Sequence, residues 1–114
     1  MMTERLARAV EKAKDALPDD GKRAVNAIVQ EMHANDREIV RRREEINSAM
    51  NLLKNAPNGI KLSDKALKGL RNEIKENGSR IMKTVEENIR SRKELKHLAR
   101  TGLLPKYADE ALQR

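Results

Sequence analysis

Residues 53–67 read LKNAPNGIKLSDKAL, and this stretch interrupts a heptad pattern that continues on both sides of it. Pro57 and the pair Asn58-Gly59 disfavour a helix here. On each side apolar residues recur at every seventh position, with Asn at one of these positions. This repeat is typical of long helices that pack along a seam. These positions are Val25, Met32, Ile39, Ile46 and Leu53 before the break, and Leu67, Ile74, Ile81, Asn88 and Leu95 after it. The pattern predicts two long helices folded back on each other.

The same reasoning places two shorter helices at the ends of the chain. We predict helices at about residues 4–17, 20–54, 63–100 and 105–113. Thr3 and Ser63 are the expected N-caps of the first and third helices, and Asp19 or Asp20 that of the second. Gly102 is the expected left-handed residue that ends the third. The predicted fold is all-α, a long antiparallel, coiled-coil-like helical hairpin in a single helical domain of residues 1–114.

Two stretches depart from the pattern. Polar Asn35 and Arg42 share a second stripe of the long helix with Ile28 and Ala49, which predicts a seam that is partly open or hydrated. The alternative is that they lie at the solvent edge of the seam. Asn77-Gly78 is unfavourable inside a helix, yet the apolar face resumes after it, so we predict a continuous third helix. Gly78 would lie roughly opposite Ile39, where its missing side chain would let the two backbones approach closely.

Composition narrows the class of protein. Of the 114 residues 38% are hydrophobic and 38% charged, with one Tyr and no Phe, Trp or Cys. Disulfide scaffolds and thiolate metal sites are therefore excluded. No apolar run approaches the roughly 18 residues of a membrane span, and residues 1–8 lack the apolar stretch of a signal peptide. We therefore expect a cytoplasmic protein.

The sequence predicts no enzyme activity, cofactor or metal site. Glu94 and His97 have the Glu-x-x-His spacing of carboxylate-bridged metal centres in helical bundles, but such centres need two of these motifs. The four basic residues around this one disfavour a bound cation, and His33 has no companion. The sequence also contains no phosphate-binding loop and no Gly-rich dinucleotide turn.

The net charge of +7 comes from 25 basic and 18 acidic residues. Such a balance suits an acidic partner or nucleic acid, although solvated helical surfaces also carry mixed charge. The strongest basic patch lies near the end of the third helix, and an antiparallel hairpin would place two residues of the second helix close to it. This patch consists of Lys22, Arg23, Arg90, Arg92, Lys93, Lys96 and Arg100.

Residues 77–95 resemble the C-terminal helix of FlgN-type flagellar export chaperones. The resemblance rests on Asn77-Gly78 followed by Ile81, then on Val85-Glu86 with Asn88, and on a later Leu95. That family binds hook-associated proteins in the cytoplasm before their secretion, through its C-terminal region. The resemblance implies client contacts at Ile89, Leu95, Leu98, Leu103, Leu104 and Tyr107. We add Arg92 of the basic patch to the predicted partner-binding surface.

The function predicted from these observations is a non-enzymatic helical protein-binding module. Its most concrete form is a cytoplasmic chaperone for secretion or flagellar export, which captures a client helix in a groove. One alternative is a small basic nucleic-acid-associated protein of phage or plasmid type. Another is a structural coiled-coil homo-oligomer. A membrane partner is not expected.

Overall fold

The computed structural model describes residues 2–55 and 61–104. Within these two ranges there are three helices and no strand: α1 (Glu4–Asp15), α2 (Asp19–Lys54) and α3 (Asp64–Thr101). The predicted all-α hairpin built on two long helices is therefore confirmed. None of these helices is long and apolar enough to cross a membrane. The fourth helix, predicted at about 105–113, lies outside the described residues.

Three of the predicted helix ends are confirmed by their hydrogen bonds. The Thr3 hydroxyl oxygen accepts from the Leu6 N–H at 3.2 Å, and the Ser63 hydroxyl oxygen accepts from the Ala66 N–H at 3.1 Å. Gly102 has a φ of 77°, and its N–H donates to the Leu98 carbonyl at 2.7 Å. These are the N-caps of α1 and α3 and a left-handed cap after α3.

The junction between α1 and α2 differs from the prediction. α1 ends at Asp15, two residues early, because Pro18 disfavours helical backbone at the residue before it. Leu17 is nevertheless buried. Asp19 and Asp20 do not cap α2 but form its first turn, where their carboxylates interact favourably with the positive end of the helix dipole.

The chain divides into two compact units, and α2 and α3 contribute to both. The first, which we call the three-helix unit, consists of Met1–Ala34 and Glu87–Arg114. It contains all of α1, the first half of α2 and the last turns of α3. Its side chains form one apolar core, because three helices can enclose what two leave open. The buried members of this core are Val10, Leu17, Val25, Met32, Leu95, Leu98 and Leu104.

The second unit, Asn35–Glu86, is the two-helix unit. Its predicted seam residues on α2 and α3 are only half-buried, and Ala49 and Asn77 are its only fully buried described residues. The Arg42 side chain, 11% exposed, donates to Asn77 Oδ1 at 2.9 Å and to Glu38 Oε1 at 2.9 Å. Arg42, for which the sequence predicts a partly open or hydrated seam, thus makes a hydrogen bond between α2 and α3.

α3 continues without interruption through Asn77-Gly78, as predicted. The close backbone approach predicted at Gly78 is wrong, because a Cβ added there would meet no heavy atom within 4 Å. The neighbouring Asn77 occupies the seam instead. Gly78 therefore lies in open space within a regular helix.

Candidate partner-binding surface

Three of the predicted client contacts belong to the core of the three-helix unit. Leu95 and Leu98 are fully buried and Leu104 is 3% exposed. They belong to the apolar cluster in which α1 contributes Val10 and, in a half-buried position, Leu6. Because these three leucines are already packed in the core, a partner cannot contact them without displacing part of the unit.

The remaining predicted contacts differ in their exposure to solvent. Ile89 is 41% exposed and Leu103 is 47% exposed, which is high for large apolar side chains. Arg92 is half-buried. Tyr107 lies outside the described residues. Of the predicted set, Ile89 and Leu103 therefore offer apolar surface, and Arg92 offers a charge at its edge.

The fold brings the predicted basic patch into one unit, since all seven of its residues belong to the three-helix unit. The seven residues differ in their exposure to solvent and in their ion pairing. Arg23 is paired with Asp20 at 2.6 Å, and Lys22 and Arg92 are half-buried. The exposed residues of the patch that have no described ion-pair partner are on α3: Arg90, Lys93, Lys96 and Arg100.

Ion pairs are distributed unequally among the helices. Within residues 2–55 and 61–104, the salt bridges all lie on α1 and α2. Typical examples are Arg8 with Glu4 at 2.6 Å and Arg41 with Glu45 at 2.8 Å. Among the described residues no basic side chain of α3 takes part in one. The charges of α1 and α2 are thus partly neutralised by neighbours, whereas the basic residues of α3 have no described ion-pair partner and most of them are exposed.

The helices also differ in total charge. α3 carries eleven basic and six acidic side chains, a net charge of +5. α2 carries seven of each and is neutral. Most of the charge of +7 of the chain therefore lies on the one helix whose cations have no described ion-pair partner.

One side of α3 in the three-helix unit combines charge with apolar surface. Ile89, Lys93, Lys96 and Arg100 follow one another at spacings of four, three and four, which places them on one side of a helix. All four are exposed, whereas Leu95 and Leu98 point into the core. We call these four residues, with the exposed Leu103 just past the helix end, the α3 basic face.

A groove beside this face carries both signs of charge. It runs between α2 and α3 of the three-helix unit and is lined by Ile28, Glu31, Glu87, Arg90, Ser91 and Glu94. The groove offers charge and hydrogen bonding to a partner.

No group of three or more His, Cys, Asp or Glu residues in the described ranges is arranged to hold a metal ion. Glu94 and His97, which have the spacing of a metal-binding motif, are both half-buried on α3.

Sequence reasoning overlooked a second group of cations. Lys68, Arg71 and Lys75 are exposed on α3 in the two-helix unit, with no described ion-pair partner. Their spacing of three and four, the same as in the α3 basic face, was visible in the sequence. The mixed charge of this stretch obscured it, because Glu73 and Glu76 lie near the cations in the sequence and only the structure shows whether they pair with them.

Compared with models of protein families, with curated proteins and with solved structures, the chain matches none.

Proposed function

We propose that this protein is a non-enzymatic helical module that binds a partner protein through the α3 basic face. The partner segment we propose is an acidic amphipathic helix. The observation that carries this proposal is the exposure of Ile89 and Leu103 beside Lys93, Lys96 and Arg100, cations without a described ion-pair partner. Apolar contact supplies affinity, and complementary charge supplies orientation and a faster encounter.

The proposed contact differs from capture in a deep apolar groove. The leucines that would line such a groove, Leu95 and Leu98, are already in the core. The partner helix instead lies along the outside of α3. From Ile89 to Arg100 the face is about 16 Å long, or three helical turns. A partner of similar length would place apolar residues near Ile89 and Leu103 and carboxylates between them.

The most concrete form of this proposal remains an export chaperone that holds a client helix before secretion. Its support is the resemblance of residues 77–95 to FlgN-type chaperones. Within that stretch Asn77, Asn88 and Leu95 are buried and Ile81 and Val85 half-buried, so the similar positions are mainly those facing other helices. Ile89, inside the stretch and exposed, is where a client would touch it.

A synthetic helical peptide tests the proposal. We would use about five turns of helix, roughly 18 residues, with Leu at heptad positions and Glu beside them, and measure its binding by calorimetry. The full chain is expected to bind this peptide and to bind a Glu-to-Gln version at least tenfold more weakly. Removing the apolar ends (Ile89→Ser with Leu103→Ser) or the charges (Lys93→Gln, Lys96→Gln and Arg100→Gln) is expected to weaken binding.

Val40→Ser is the matched control, because Val40 is an exposed apolar residue, 55% accessible, in the two-helix unit. It should leave peptide binding unchanged. Equal binding by the wild-type chain and both α3 variants would refute the proposed surface.

A further inference from the structure

The two-helix unit carries a basic surface with a different character from the α3 basic face. Lys68, Arg71 and Lys75 are exposed along one side of α3, at helical spacings of three and four. We call these three residues the basic triad. Among the described residues none of the three is in a salt bridge, whereas Arg41 and Arg42 on α2 of the same unit are paired with Glu38 or Glu45. Charge on this side of the unit is therefore left for a ligand.

The surroundings of the basic triad are polar. A shallow depression beside it is lined by Asn72, Lys75, Glu76, Ser79 and Arg80, two cations against one carboxylate. Between residues 61 and 81 no large apolar side chain is exposed. The centre of a protein–protein contact is normally apolar. The nearest exposed large apolar side chain on α3 is Met82, seven residues after Lys75, so a ligand over the triad itself is held mainly by charge and hydrogen bonds.

We infer that the basic triad and its depression bind the phosphate backbone of a nucleic-acid duplex. Lys, Arg, Ser and Asn are among the side chains that contact phosphate oxygens, and protein–DNA interfaces are more polar and more positive than protein–protein ones. The triad advances by about 4.5 and 6 Å along the helix axis, and each DNA strand presents a phosphate about every 3.4 Å. Long basic side chains can thus reach neighbouring phosphates.

A duplex fits better than a single strand. Single-stranded nucleic acid is usually held by stacking its bases on aromatic rings. The chain has one aromatic residue, Tyr107, and it lies in neither described range. Because phosphate contacts carry no information about the bases, this binding is independent of the nucleic-acid sequence and weakens as the salt concentration rises. It concerns a different unit and different residues from the protein-binding proposal, so either can fail without the other.

Fluorescence anisotropy with a labelled 20-base-pair DNA duplex, between 50 and 200 mM salt, tests this inference on the full chain. The logarithm of the binding constant falls with the logarithm of salt concentration by about 0.9 per phosphate contacted. The triple variant Lys68→Gln, Arg71→Gln and Lys75→Gln should lose a slope of about 3 and bind roughly tenfold or more weakly at low salt. Gln is a good helix former, so helicity should persist.

The matched control is a triple Gln variant of the exposed α2 cations of the same unit, which loses the same charge: Arg37, Arg41 and Arg43. It should keep the wild-type slope. An RNA duplex of the same sequence should show the same loss in the triad variant.

Four results would overturn the inference. The first is no duplex binding by the wild-type chain at 50 mM salt, and the second is equal losses in triad and control variants. The third is loss of binding only in the variant of Lys93, Lys96 and Arg100. The fourth is a triad variant that loses the acidic peptide and keeps the duplex.

Discussion

At the scale of single residues, the ends of the helices follow from local chemistry. Thr3 and Ser63 each supply a side-chain oxygen to a backbone N–H three residues later. Gly102 supplies the left-handed backbone that a side chain would strain. Each of these contacts involves neighbours within four positions of the chain, so residue type and position are enough to predict them.

Gly78 lowers the stability of α3, and no close packing contact at this position offsets the loss. A Cβ there would meet no heavy atom within 4 Å, and Gly inside a helix costs about 1 kcal/mol relative to Ala. We expect Gly78→Ala to raise the free energy of unfolding by about 1 kcal/mol. Urea denaturation would show this as a higher midpoint with an unchanged m-value.

Gly102→Ala is the opposite control, because its φ of 77° is unfavourable for a side chain. It should lower the free energy of unfolding by about 1–2 kcal/mol. If Gly78→Ala proves destabilising, the open space beside Gly78 is not present in solution.

At the scale of helices, the two-helix unit is held by a thin seam that includes one polar contact. Arg42 of α2 reaches Asn77 of α3 across this seam, and Asn77 is 5% exposed. A buried polar pair contributes little net stability but is costly to break on one side. It also disfavours other alignments of the two helices, since a shifted seam would leave the buried amide facing apolar groups.

A double-mutant cycle measures this contact. Arg42→Met alone leaves Asn77 buried and without its Arg42 hydrogen bond, so we expect a loss of about 1–3 kcal/mol in unfolding free energy. Adding Asn77→Leu removes the orphaned amide and should recover much of that loss. Chemical denaturation of the two single variants and the double variant gives the coupling energy.

Additive effects, with the double variant at the sum of the singles, would show that the Arg42–Asn77 contact carries no coupling. Arg41→Met is a suitable reference, because Arg41 is exposed and its described ion pairs are all within α2. It should change stability by about 0.5 kcal/mol or less.

At the scale of the whole molecule, the three-helix unit decides which apolar residues a partner can use. Leu98 and Leu103 have the same side chain and lie five positions apart, yet one is fully buried and the other 47% exposed. We expect Leu98→Ala to lower the free energy of unfolding by about 2–5 kcal/mol. Leu103→Ala should stay within about 0.5 kcal/mol of the wild type. Thermal and urea unfolding followed by circular dichroism compare them.

The same pair separates a core residue from a contact residue. Leu103→Ala should weaken binding of the acidic peptide while leaving stability unchanged. A large loss of stability in Leu103→Ala would instead place Leu103 in the core and remove it from the α3 basic face.

Local sequence was enough to predict the long helices and the side of each that faces inward. The heptad positions from Val25 to Leu95 are all buried or half-buried in the structure, because a period of seven fixes which side of a helix is apolar. The N-caps of α1 and α3, the interruption between α2 and α3 and the continuity of α3 likewise depend on residues close together in the chain. Together they were sufficient for the all-α hairpin.

Which inward-facing residues are enclosed, and which charges are left without an ion-pair partner among the described residues, depends on the folded chain. Leu95 and Leu98 were predicted as client contacts, but α1 helps form the core that buries them. On α2, Arg23, Arg41 and Arg42 pair with carboxylates about one turn away, whereas no basic residue of α3 has a described ion-pair partner. Burial and pairing depend on where a third helix lies and on side-chain positions around each axis, and a one-dimensional pattern specifies neither. The candidate surfaces could therefore be assigned only from the folded chain.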